Sequence, residues 1–191
     1  VSEEKGEINA GKNYTWFIDP LDGTHNYMAK IPFYAVSIGL GYKEQMIVGV
    51  VYLPHVDEMY EAGFGAGAYL NKEKIEVSSV TQLEESFVLH EAAFQKETQT
   101  KLNTLARIIP HVQRFRLFGS FASQCTMVAS GRAEAVLGET VNSWDCAAGS
   151  LLIQEAGGRM TNFKGESCTV RSPFMLLSNG KVHDQLLKLL A

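Results

Sequence analysis

Apolar positions along the first third of the chain come in short, period-two runs broken by turn residues, and beyond Val80 such runs alternate with stretches of helical spacing. WFID (16–19) is a brief apolar run ending on an acid. YAVSIGLGY (34–42) sets Tyr34, Val36, Ile38 and Leu40 against small residues, the alternation of a half-buried strand. KEQ turns the chain into MIVGVVYLP, a second strand, and PHVDE turns it into MYEAG, a third. The glycine-rich GFGAGAYLN predicts a loop entering another strand; its glycines serve tight turns, since they match neither a P-loop nor a G-x-G-x-x-G before a helix. KEKIEVSSV reads as solvated strand surface. Together these runs predict an antiparallel meander.

The second part predicts alternating elements. SFVLH, VQRFRLF, AEAVL and FMLLSN read as strands. ETQTKLNTLARII reads as a helix stopped by Pro110, and GSFASQCTMVASG as one capped by Ser120 and closed by Gly131. SWDCAAGSLLIQEAGG and KVHDQLLKLLA complete the helices. Such alternation implies a mostly parallel or mixed sheet. The expected organisation is α+β or α/β, with a first lobe at 1–80 and a second at 81–191, joined near Ser78 to Glu84 as one functional unit. The meander lacks a helix of its own to cover an apolar face, so a partner chain or a lost N-terminal segment is expected to cover it; Val1 in first place favours the lost segment.

Composition narrows the class. The chain has 191 residues, a net charge of −4, 46% hydrophobic and 20% charged residues, too apolar for a disordered protein. There is no basic excess to neutralise a nucleic acid. The longest strongly apolar run, IVGVVYL, is far short of the roughly 20 residues that span a bilayer. The polar, acidic start shows no signal peptide. Cys125, Cys146 and Cys168 are odd in number and form no C-x-x-C pair. They read as small buried hydrophobes and free thiols in a reducing, cytoplasmic setting, neither a disulfide scaffold nor a zinc site.

The strongest chemical signal is WFIDPLDGTHNY. Pro20 pushes Asp19 out of the helical region, so Asp19 and Asp22 can converge at a strand end. Gly23 admits close backbone approach, and Thr24, His25 and Asn26 resemble a first helical turn whose N–H groups would point at an anion. An ordinary Asp-rich turn capping a helix is the plainer alternative. Asp145 lies in the first turn of a helix, with Asn142 or Ser143 as N-cap, and Ala147, Ala148, Leu151 and Leu152 make its buried stripe. Alone, Asp145 reads as a helix-start acid, and Glu3 with Glu4 as a solvated charge pair. His25, His55, His90, His111 and His183 are scattered and receive no role, and Arg114 and Arg116 read as an exposed strand face.

Taken together, the segments resemble the inositol monophosphatase family of metal-dependent sugar phosphatases, over nearly the whole chain. DPLDGTHNY is similar to its first signature, D-P-x-D-G-T-x-N-[FY], and WDCAAGSLLIQEAGG to its second. SEEKG resembles the upstream acidic element, and GSFASQCTMVASGRAEA the segment before the second signature. The resemblance implies a layered αβαβα sandwich lacking its N-terminal helical layer, with an antiparallel first sheet and a mixed second sheet. It implies metal ligation by the side chains of Glu3, Asp19, Asp22 and Asp145 and the carbonyl of Leu21, for Mg²⁺ or Mn²⁺. Asp19, Glu3 and Thr24 would be catalytic, with Thr24 hydrogen-bonded to Glu3 and orienting a water. Gly23, Thr24, Gly119, Ser120 and Asp145 would contact substrate, Ser120 being equally a plain N-cap. The implied reaction is hydrolysis of a small phosphorylated polyol or sugar such as inositol monophosphate, in a homodimer inhibited by Li⁺. Two positions depart from the family pattern. Gly138, beside Glu139, stands where family inositol phosphatases carry a Glu that contacts substrate hydroxyls, and Phe121 replaces a small residue after Gly-Ser and would narrow the pocket. Fructose-1,6-bisphosphate, histidinol phosphate and 3′-phosphoadenosine 5′-phosphate are therefore rival substrates, and a non-catalytic truncated binding remnant is the rival class.

Overall fold

The computed structural model describes residues 1–4, 13–92, 94–95 and 97–191. Strands β1 (Tyr14–Asp22), β2 (Ala35–Tyr42), β3 (Gln45–Leu53), β4 (Glu58–Gly63), β5 (Gly67–Leu70) and β6 (Glu73–Ile75) pair antiparallel in chain order, the expected meander. A short helix, α1 (Thr24–Met28), follows β1. The tight turns place Lys43, Asp57, Asn71 and Lys72 at positive φ, as close hairpins require.

Strands β7 (Phe87–Ala92), β8 (Arg114–Arg116), β9 (Ala135–Glu139), β10 (Arg159–Thr161) and β11 (Phe174–Ser178) form a second sheet in the order β10-β11-β9-β7-β8. β7 runs parallel to β8 and β9, while β11 is antiparallel to β9 and β10, so the sheet is mixed. Its helices are α2 (Thr98–Ile108), α3 (Phe121–Ala129), α4 (Ser143–Glu155) and α5 (His183–Leu190). Pro110 falls in a single 3₁₀ turn just beyond α2, where its missing N–H cannot continue the ladder. The three-residue β10 carries too little pattern to be read from sequence.

Helices α3 and α4 lie between the sheets, and one core runs from Phe17, Val51 and Tyr60 through Phe121, Cys125 and Leu151 to Met175 and Leu177. Helices α2 and α5 cover the far side of the second sheet over Val88, Leu137 and Leu176, with Ile108 of α2 and Leu186 of α5 buried in the same cluster. The layers are therefore sheet, helix pair, sheet, helix pair. The stripe expected on α4 is only part of its contact surface, because everything from Cys146 to Ile153 is buried, as in a helix enclosed on all sides.

The face that β2 turns to α4 is the small one: Ala35, Ser37, Gly39 and Gly41 are buried, and Val36, Ile38 and Leu40 are half-buried on the opposite face. The cause is proximity. A Cβ on Gly39 would stand 3.0 Å from the Ala147 Cβ, and one on Gly49 only 2.7 Å from the Ala148 carbonyl oxygen. On the helix side, a Cβ on Gly149 would meet the Cys125 Cβ at 2.5 Å. Close-packed interiors leave no slack for such atoms. The outer face of the first sheet keeps large apolar side chains in the open, with Tyr14 at 55%, Trp16 at 50% and Val48 at 40% exposure. Neither helix pair reaches this face. No helix among the described residues is long and apolar enough to cross a membrane, and the three cysteines are free thiols, Cys168 only partly buried.

Candidate metal centre

Phe17 and Asp19 face inward on β1, and strict alternation would send Asp22 outward. The pairing with β2 slips instead: Asp19 stands opposite Ser37 and Asp22 opposite Ala35, so β1 spends one residue more than its partner. This bulge brings Asp22 back to the buried face, and Pro20, which has no N–H for a ladder, sits inside it. Asp19 Oδ1 accepts the Leu21 N–H at 2.9 Å and closes the turn. Asp145 arrives from the first turn of α4. Asn142 is the N-cap, and Asp145 Oδ2 accepts its backbone N–H at 3.0 Å and its Nδ2 at 3.2 Å in a capping box. Ser37 Oγ donates to the Trp144 carbonyl at 3.2 Å, fixing that turn to the strand beside Asp19.

One carboxylate oxygen from each of Asp19, Asp22 and Asp145 thus lies within 4.8 Å of the other two. Burial is the largest influence on Asp22 and pushes it up to about 7, aided by the Asp19 charge and opposed by donors from Ser120 and Ala122. Burial, then the Asp22 charge, push Asp145 up to about 8. Glu3 sits at the rim. Its strand-like segment bonds to Ile18, and partial burial, then the neighbouring Asp19 carboxyl, hold its pKa above the usual value.

The remaining expected residues fall around this trio. Thr24 Oγ1 donates to the Leu21 carbonyl at 2.9 Å, which corrects the expected Thr24–Glu3 bond: the hydroxyl hydrogen is taken up within its own turn. Gly23 has φ 89°, and a Cβ there would stand 3.0 Å from both the Phe33 carbonyl oxygen and the Ser120 Cβ, so only glycine fits. Gly119 is exposed next to this turn, whereas Ser120 is 1% exposed and donates its hydroxyl to Asp22 Oδ2 at 2.6 Å. Phe121 is buried, with its ring 3.0 Å from where a Cβ on Gly138 would stand.

Sequence reasoning missed several supports. The Ala122 N–H donates to Asp22 Oδ2 at 2.8 Å. Asn26 Nδ2 donates to the carbonyls of Phe33 and Phe118 at 2.8 and 2.6 Å, clamping α1 to the segment before β2 and to the segment before α3. Glu91 at the end of β7 accepts from Gln124. Partners this remote leave no local pattern; the Asn in GTHNY was visible only as part of the signature.

A bulged strand end, a capped helix start and a neighbouring loop here gather three acids between two sheets, an arrangement suited to holding a hard cation against a phosphate ester. Known proteins match the chain over its whole length. The inositol monophosphatase family model matches residues 1–191. The inositol monophosphatase of Dictyostelium discoideum is 36% identical over 193 residues, covering 99% of this chain and 71% of that protein. The fructose-1,6-bisphosphatase/inositol-1-monophosphatase of Aquifex aeolicus is 36% identical over 190 residues, covering 98% and 71%. The solved inositol monophosphatase from Anabaena (Nostoc) sp. PCC 7120 superposes with a TM-score of 0.95 at 33% identity, covering 100% of this chain and 77% of that one. The class is therefore that of metal-dependent phosphoric monoester hydrolases acting on phosphorylated polyols or sugars. Within that class, this chain belongs to the inositol monophosphatase family.

Proposed function

We propose that the chain hydrolyses a small phosphorylated polyol or sugar, with inositol monophosphate as the leading substrate, at a Mg²⁺ site that also accepts Mn²⁺. The single observation that carries this reading is the gathering of Asp19, Asp22 and Asp145 within 4.8 Å of one another. The donor set fits the ion: all are carboxylate oxygens, with no imidazole or thiol among the three, which suits hard cations over zinc, and the Leu21 carbonyl would add a further oxygen. At about 4.8 Å and an effective dielectric near 20, each ionised pair would repel by roughly 3.5 kcal/mol, about 10 kcal/mol for three pairs. That approaches the whole stability of a typical domain, about 5–15 kcal/mol, so the acids call for a cation.

A divalent cation held there supplies Lewis-acid activation of a water and neutralises the oxygen that leaves. The chain's own residues do the rest. Thr24 Oγ1, its hydrogen committed to Leu21, is left to accept from the attacking water and so aims it. The carboxylate of Glu3, beside Asp19, takes the water's proton. The N–H groups of Gly23 and Thr24 hold phosphate oxygens where negative charge builds, and Gly119 borders the polyol. Asp22 and Asp145 fix the geometry from opposite lobes, 1–80 and 81–191, so the site lies at their junction.

Relatives named for both fructose-1,6-bisphosphatase and inositol-1-monophosphatase keep the bisphosphate as the second reading. The decisive assay is phosphate release from a panel of polyol, sugar and nucleotide monophosphates with MgCl₂ or EDTA. We expect Mg²⁺-dependent release, and a loss of about 100-fold or more in turnover for Asp19→Asn and Asp145→Asn. Near-normal hydrolysis by either variant removes that residue from the site, and release unaffected by EDTA refutes the reading as a whole.

A further inference from the structure

The parallel register of β7 and β9 sets Glu91 beside Gly138. Along β7, Val88 packs under the outer helices and Leu89 into the central layer, so alternation turns Glu91 towards α3. Gly138 offers Glu91 no side chain, and the Phe121 ring, 3.0 Å from where a Cβ on Gly138 would stand, closes the space above it. The carboxylate reaches α3 instead. Glu91 Oε2 accepts Gln124 Nε2 at 2.8 Å. Gln124 is fully buried in the first turn of α3, and Gly119 lies just ahead of that helix. That bond anchors the first turn of α3, whose start delivers both donors to Asp22 Oδ2, Ser120 Oγ at 2.6 Å and the Ala122 N–H at 2.8 Å.

We infer that Glu91 is a positioning residue for the metal centre: through Gln124 it tethers the first turn of α3 so that Ser120 and Ala122 hold Asp22 in place. The inference rests on the proposed metal site and adds a group outside it. The task needs one acceptor oxygen in reach of Gln124 Nε2, which the Glu91 carboxylate supplies at 2.8 Å. A glutamate so placed adds a like charge near Asp22, a cost that a tethering role offsets. Outer partners of metal-ligating side chains typically change metal affinity by about 10–100-fold when removed.

The test uses the full chain and follows Mn²⁺ binding by the EPR signal of free Mn²⁺, alongside the Mg²⁺ midpoint of phosphate release. Glu91→Ala is expected to weaken Mn²⁺ binding about tenfold or more and to move the Mg²⁺ midpoint by the same factor. Turnover at saturating Mg²⁺ then falls much less. Glu91→Gln, which keeps an acceptor oxygen, is expected to restore binding to within about threefold of wild type. A lowered melting temperature in EDTA with unchanged Mn²⁺ affinity overturns the inference, as does a shift in KM with the Mg²⁺ midpoint unmoved. Glu91→Gln as defective as Glu91→Ala also overturns it, since charge and not tethering would then be at work. If Glu91→Ala does not fold, Gln124→Met, which removes the donor and leaves Glu91, must still weaken Mn²⁺ binding severalfold, and an unaltered affinity refutes the tether. Loss of Mn²⁺ affinity in the variants of a protein that releases no phosphate sustains this inference while the phosphatase reading falls; a wild-type chain that binds no Mn²⁺ sinks both.

Discussion

Replacing Asp22 with Asn isolates the electrostatic load of the acid trio. The substitution is isosteric: the amide oxygen can still accept from Ser120 Oγ and the Ala122 N–H, and Nδ2 becomes a donor towards Asp19 and Asp145. Two of the three like-charge pairs disappear. The size of the effect follows from the pKa. Moving Asp22 from 3.8 to about 7 corresponds to roughly 4 kcal/mol once the group is forced to ionise, at about 1.4 kcal/mol per unit. The sign is fixed by linkage. Between the unfolded value and about 7, the folded state holds a proton on Asp22 that the unfolded state has released, so the stability of the metal-free protein falls as pH rises through that window. The same holds for Asp145 up to about 8. Metal-free wild type should therefore melt at higher temperature at pH 5 than at pH 8, and MgCl₂ should recover the loss at pH 8. Asp22→Asn should be more stable than wild type at pH 8 in EDTA, by up to roughly 8–16 °C at about 2–4 °C per kcal/mol for a chain of this size. It should also lose most of its response to MgCl₂. Scanning calorimetry at both pH values, in EDTA and in MgCl₂, measures all four states. If Asp22→Asn is no more stable than wild type at pH 8, and wild type shows no fall with pH, the trio carries no like-charge strain and the reasoning fails.

Two further outcomes follow from packing. Gly49→Ala puts a methyl 2.7 Å from the Ala148 carbonyl oxygen, a backbone atom that cannot swing away, and should destabilise the fold by about 1–3 kcal/mol; urea unfolding at fixed pH measures this, and a neutral result would mean α4 sits further from the sheet. Gly138→Glu should be destabilising for the same reason, through the Phe121 ring at 3.0 Å, and a second change, Phe121→Ala, should recover part of that loss by making room; a double variant no better than the sum of its parts shows that the two positions do not share this space.

Much of the fold was legible because its causes are local. Period-two runs and turn residues predict the meander, and Pro110 marks the end of α2. The spacing of Asp19 and Asp22 across a proline, and a helix start at Asp145, mark the acids as candidates. That they belong together was legible only through the family signatures, since no local interaction links Asp22 to Asp145.

Tertiary structure decided the rest. Alternation alone places Asp22 on the wrong side of β1, and it is the register slip against β2 that returns it to the cage. The face that β2 buries is the small one, because α4 approaches too closely for anything larger than Ala or Ser. Ser120 could have been a cap or a substrate contact by sequence; only the placement of α3 turns its hydroxyl onto Asp22, 98 residues away in the chain. The sequence by itself determined which residues carry charge, where strands turn and where helices begin, for these depend on neighbours a few positions apart. Which charges meet, and how strongly they repel, depends on distances set by packing two sheets around one pair of helices, and no window along the chain contains that information.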